Sequence, residues 1–209
     1  MRKLLLFIFY FFLFNSPTFA LIEVDITRGN LNPLPIAVSP FYVEPGSKDI
    51  KENDKVIKNI GEEIAKIIEV NFKRSGLFNP LKKDSFVQNP DIAHVKPRFE
   101  DWRLIKAQAL VTGKVTVSDD KLRVEFRLWD VVAAKEMVAV AFSTTPNNWR
   151  RVAHLISDKI YQRLTGEEGY FDTRIIYVAE TGLKTQRYKK LAIMDQDGAN
   201  VKYLTFAPS

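Results

Sequence analysis

The sequence predicts an α/β (α+β) two-layer sandwich with a mixed sheet and two long helices, followed by the start of an all-β unit. Three observations predict it. Residues 54–75 and 149–165 repeat apolar side chains at three- and four-residue steps, the period of a helix with one buried face. Between them, 110–118, 122–129 and 136–144 alternate apolar and polar residues and are joined by short connections, the signature of an antiparallel meander. Beyond Gly166 the helical period gives way to short stretches of β-branched and aromatic residues.

Residues 1–20 stand apart from the fold. Met1-Arg2-Lys3 is a basic start, Leu4 to Phe14 is an unbroken apolar run, and Thr18-Phe19-Ala20 places small residues where a signal peptidase reads. That run, roughly 11 residues, is too short for a membrane span of about 20. A signal peptide cleaved between Ala20 and Leu21 is expected. Without Arg2 and Lys3, 29 basic side chains face 25 acidic ones, a solvated surface rather than a nucleic-acid footprint. No cysteine is present, so an exported chain of this kind fits a bacterial periplasm better than a disulfide-rich extracellular space.

Ile22, Val24 and Ile26 alternate with Glu23, Asp25 and Thr27, a half-buried strand pattern. Gly29-Asn30, Pro33 and Pro35 separate it from the next apolar run, which predicts a mobile segment and hinge over 21–35. Residues 36–43 read as one apolar strand, interior until Pro40, and 44–53 as a loop. The first helix is expected over 54–75, capped by Asn53 or Asp54, with Ile57, Ile60, Ile64, Ile67, Ile68 and Phe72 on its buried face and Gly76 at its end. An irregular connector and a short helix at 99–106 lead to the meander. In its middle strand Leu122, Val124, Phe126 and Leu128 take the buried face, and Arg123, Glu125, Arg127 and Trp129 the open one.

Pro146 stops the third strand, and Asn147 or Asn148 is expected to cap the second helix. Trp149, Val152, Ile156, Ile160 and Leu164 share its inner face, and Gly166 closes it. Together 36–166 form the predicted α/β domain, 167–172 a linker, and 173–209 a strand, a basic gap, a second strand and an Asp195-Gln196-Asp197-Gly198 turn.

Few residues suggest chemistry. His94 and His154 lie far apart with no HExxH pattern, and both read as surface or satisfied partly buried side chains. Neither a phosphate-binding glycine loop nor a GxSxG elbow occurs. The 195–200 stretch is similar to a calcium loop, but its glycine comes too early and the terminal glutamate is absent, so it reads as a turn. No catalytic residue, metal or cofactor is assigned.

Several blocks carry a resemblance: EVDITRG then PIAVSPF, RSGLFNPL, ALVTGKV, RLWDV, and AHLISDKIYQRLTGEEGYFDTRIIYV leading into MDQDGAN. In this order they resemble the TolB family, periplasmic components of the Tol-Pal envelope system. The resemblance implies a non-catalytic interaction protein that links TolA and Pal, maintains outer-membrane integrity and supports constriction at cell division. It implies that the mature N-terminus binds TolA through Leu21, Ile22, Glu23, Val24, Asp25, Ile26, Thr27, Arg28, Gly29, Asn30, Leu31 and Asn32. Pal and some bacteriocins bind the family's six-bladed β-propeller, of which 173–209 would be a truncated first blade. Residues 1–209 are accordingly expected to be a fragment, loosely anchored beyond Asp172, with membranes reached only through partners. A propeller-containing secreted serine peptidase is the rival reading, and a nucleic-acid module a third, since the family's α/β domain is similar to anticodon-binding domains.

Overall fold

The computed structural model describes residues 32–52 and 55–205. The expected signal peptide, its Ala20/Leu21 junction and residues 21–31 of the expected recognition segment lie outside the described residues; Asn32 is exposed. Strand β1 (Leu34–Val38) begins two residues earlier than the sequence predicts and takes in Leu34 and Pro35. The single strand expected over 36–43 is split: Ser39-Pro40-Phe41 steps out of line, and β2 (Tyr42–Val43) resumes. The step exists because Phe41 turns back to donate its amide to the Gly61 carbonyl at 3.1 Å.

Two expectations in the next stretch are corrected. The loop over 44–53 contains β3 (Ile50–Glu52), which pairs antiparallel with β4 (Lys55–Ile57), so Ile57 belongs to a hairpin and not to the helix. Helix α1 is Ile60–Ser75, and its cap is Asn59, whose Oδ1 accepts from the Glu62 amide at 3.4 Å while its Nδ2 donates to Glu62 Oε2 at 3.0 Å. That is a reciprocal cap three residues apart. Gly76 ends the helix in the left-handed region, at φ 72°. Ile60, Ile64, Ile67, Ile68 and Phe72 are buried as predicted.

Strand β5 (Phe78–Pro80) runs parallel to β1, and the connector then forms short helices α2 (Pro90–Ala93) and α3 (Phe99–Leu104). The meander comes next as β6 (Ala109–Val117), β7 (Leu122–Asp130) and β8 (Lys135–Thr144). The mixed sheet has the order β5-β1-β6-β7-β8, with β2 added parallel to β6. Its interior strand β1 is parallel to both neighbours.

Helix α4 (Trp149–Thr165) packs beside α1 on one face of this sheet, and the main core lies between. Asn148 precedes α4 but donates to Thr144 and Thr145 hydroxyls instead of capping the first turn, because Pro146–Asn148 already forms a 3-10 turn there. The other face is not left open along its length. Ala37, Leu110, Val131 and Trp102 form a second core under the connector, with Phe86 and Trp129 against it. Gln88 organises that cover: its Oε1 accepts from the Arg98 amide at 2.9 Å and from Trp102 Nε1 at 3.1 Å. The connector therefore adds a partial third layer that the two-layer expectation lacks.

Phe171 carries the expected linker 167–172 into the main core, against Phe72 and Tyr161. Beyond it, β9 (Arg174–Leu183) and β10 (Gln186–Asp195) form one continuous hairpin where the sequence suggests a basic gap, and β11 (Lys202–Tyr203) adds to β10. Residues 180–189 at its tip are all exposed. Among the described residues no helix is long and apolar enough to cross a membrane.

Candidate functional site

The hairpin's root, in contrast to its tip, is firmly tied to the helix pair, and the tie is polar. Asn71 of α1 and Ser157 of α4 are fully buried, His154 is 2% exposed, and Gln196 from the turn after β10 is buried beside them. Asn71 and Ser157 occupy positions within otherwise apolar helix faces. Such positions carry a desolvation penalty unless every polar atom finds a partner.

The partners form a chain. Ser157 Oγ donates to the Ala153 carbonyl at 2.9 Å, and so accepts from Asn71 Nδ2, also at 2.9 Å. That sets the Asn71 amide: the same Nδ2 donates to His154 Nδ1 at 3.0 Å, and Oδ1 accepts from Gln196 Nε2 at 2.9 Å. Arg74 of α1 completes the tie by donating to the Gln196 carbonyl at 2.7 Å. With Nδ1 accepting, the neutral imidazole carries its proton on Nε2.

That Nε2 is buried without a hydrogen-bond partner and faces Asp197 Oδ2 at 3.6 Å. Asp197 is already paired with Arg150 of α4, and its other oxygen accepts from the Ala199 amide at 3.0 Å. Burial, reinforced by Arg150, holds the His154 pKa below its ordinary 6.5 despite the Asp197, Asp195 and Asp172 carboxylates. One turn along α4, Asp158 accepts from the Phe171 and Asp172 amides at 2.7 and 3.0 Å and fixes the chain entering β9. Burial pushes its carboxyl above the usual range against those two bonds. A cleft of about 220 Å³ opens beside the joint, lined by Arg150, Arg151, His154, Asp172 and Asp195 among others.

His154, Asp195 and Asp197 bring three potential ligand atoms within 4.8 Å of one another. The set does not fit a metal as it stands, because Nε2 holds the proton and Arg150 holds the same Asp197 oxygen that faces it. The simple turn expected at 195–200 is thus the turn that docks the β unit. His94, by contrast, stacks on Tyr42 at 4.5 Å and lies with Nδ1 3.0 Å from the Pro90 carbonyl, a satisfied structural side chain. The sequence did hold one signal for the joint, a buried-face asparagine in the isoleucine stripe of α1.

Fold and joint define the class: a mixed α/β domain passing through a buried polar joint into an antiparallel β unit. Within that class the chain belongs to the TolB amino-terminal domain family, whose match covers residues 22–137. It is 67% identical over 198 residues to the Tol-Pal system protein TolB of Pelagibacter ubique (strain HTCC1062), covering 93% of this chain and 44% of that protein. The crystal structure of TolB from Acinetobacter baumannii superposes with a TM-score of 0.66 at 25% identity, over 88% of this chain and 41% of that one. The chain therefore spans less than half the length of either relative. The family match and the Pelagibacter relative, a Tol-Pal system protein, bear out the resemblance to the TolB family.

Proposed function

We propose that this chain is the amino-terminal part of a non-catalytic periplasmic Tol-Pal component, and that Leu21–Asn32 is its capture segment for TolA. In this reading β9, β10 and β11 begin a propeller whose later blades would bind Pal, so that the whole protein links the two. The link would maintain outer-membrane integrity and serve envelope constriction at division. The observation that carries the reading is the family match, which runs from Ile22 to Met137 and so covers 22–32 of the candidate segment together with the first part of the α/β domain. Two physical points support it. The described core begins at Leu34, with β1 already paired on both sides, so the preceding segment is not needed to flank this strand. Exposed Ile175, Ile176 and Val178 on β9 are apolar surface of the kind that neighbouring blades bury.

An alternating segment such as Glu23-Val24-Asp25-Ile26-Thr27 can add to a partner's sheet edge through its main chain, with alternate side chains giving selectivity. Deleting Leu21–Asn32 behind the intact leader should abolish capture on immobilised TolA. Stability of the α/β domain in urea should change by no more than about 0.5 kcal/mol. Retained capture combined with a large loss of stability would make the segment a structural strand and overturn the proposal.

A further inference from the structure

Of the joint's described side chains, His154 is the one whose ordinary pKa lies near neutrality. Asp197, Asp195 and Asp172 surround it with negative charge, Arg150 with positive, and Asp158 lies one turn along α4. Helix α1 faces it with the Asn71 amide, while Arg74 of that helix is turned to the Gln196 carbonyl. We propose that His154 makes the joint acid-released: the neutral ring holds the 195–200 turn on the helix pair, and the protonated ring lets it go.

The hydrogen-bond chain explains why. An imidazolium has N–H groups on both nitrogens. Its Nδ1–H would meet Asn71 Nδ2, which now donates to that nitrogen, so donor would face donor. Turning the Asn71 amide over relieves that conflict but sets its NH2 group against Gln196 Nε2, which now donates to Asn71 Oδ1. The conflict is passed to the side chain that ties the turn to α1. At the other end of the ring Asp197 offers limited compensation, because Arg150 already balances its charge. A metal ion at Nε2 would demand the same amide reversals and would also have to displace Arg150.

Linkage fixes the sign. A ring that binds its proton less readily in the closed joint than in the open one favours opening as protons are added. Closure is fully favoured above the ordinary pKa of 6.5 and is lost as pH falls below it toward the lowered value in the closed joint. The Gln196 backbone amide reports on the docking: it is bonded to the Thr173 carbonyl and buried while the turn sits on the helix pair.

Hydrogen exchange of the protein between about pH 7 and about pH 5, corrected for intrinsic exchange, should show this amide losing about tenfold in protection. Val124 and Phe126 in the meander should keep theirs. The His154 ring, followed by NMR, should titrate with the same midpoint as the loss. His154→Asn, which keeps an acceptor toward Asn71 and cannot titrate, should remove the pH dependence. Protection retained at about pH 5 would show that the amides reverse in concert without release, and would overturn the proposal. So would an equal loss in His154→Asn, which would assign the response to the aspartates. Should that variant not fold, the two wild-type midpoints decide: unequal midpoints sink the idea.

Discussion

Replacing Phe126 with alanine should cost about 3 to 5 kcal/mol of unfolding free energy, measured by chemical denaturation. Phe126 is 1% exposed at the middle of β7, stacked on Phe142 of β8 and facing the helix pair. Strands hold it from both sides, through Gly113 and Val140 in register, so the vacated space cannot close by a small backbone shift. The neighbouring Arg127 is the control. Its side chain donates to the His94 carbonyl at 2.9 Å and pairs with Glu136 at 3.3 Å, but it remains 42% exposed. Removing it should cost about 1 kcal/mol. A larger loss from Arg127→Ala than from Phe126→Ala would mean that β7 presents the opposite face to the helices.

Gly61→Ala should also destabilise, although helix propensity alone predicts a gain of up to about 1 kcal/mol in the first turn of α1. A Cβ at this position would lie 2.0 Å from the Phe41 carbonyl oxygen and 2.9 Å from its carbon. Neither atom belongs to a flexible side chain that can swing aside. The backbone of the β1-to-β2 step would have to retreat, stretching the Phe41-to-Gly61 hydrogen bond and pulling the Phe41 ring off Gly113. Overpacking of this kind costs about 1 to 3 kcal/mol, which outweighs the propensity gain. An increase in the denaturation midpoint would contradict the close approach.

The contrast between these two residues shows what can be read from the chain alone. Phe126 is legible because a strand's period of two and a helix's period of 3.6 each assign a buried face. Gly166, closing α4 at φ 79°, is legible for a similar reason, since glycine after a periodic run marks a left-handed cap. Gly61 is not legible, because the atom it accommodates comes from a residue 20 positions earlier whose path no local pattern fixes. Lys55-Val56-Ile57 misleads for another reason: Ile57 fits the helical step to Ile60 and Ile64, although the cap that starts the helix is the Asn59-to-Glu62 pair and not Asn53 or Asp54.

The joint is the larger gap in the sequence reading. Asn71, His154, Ser157 and Gln196 come from three elements, and their meeting supplies partners to these polar side chains in the interior, His154 Nε2 excepted. Taken singly, the histidine resembles a surface residue and the Asp-x-Asp-Gly stretch an ordinary turn. The second core is hidden because its connector lacks any period; it is built on Gln88 reaching backbone and indole groups 8 to 14 residues away.

The placement of β1 has a mechanical corollary. The chain enters the sheet at Leu34 directly in an interior strand, which is bonded to β5 through Leu34–Ile36 and to β6 through Ile36–Val38. A tug applied along the chain N-terminal to Leu34 would load both ladders in shear, their bonds sharing the force at once. Peeling, which breaks bonds one by one, would need a force directed out of the sheet plane. Tension on the leading segment is thereby delivered to a strand held by a ladder on each side.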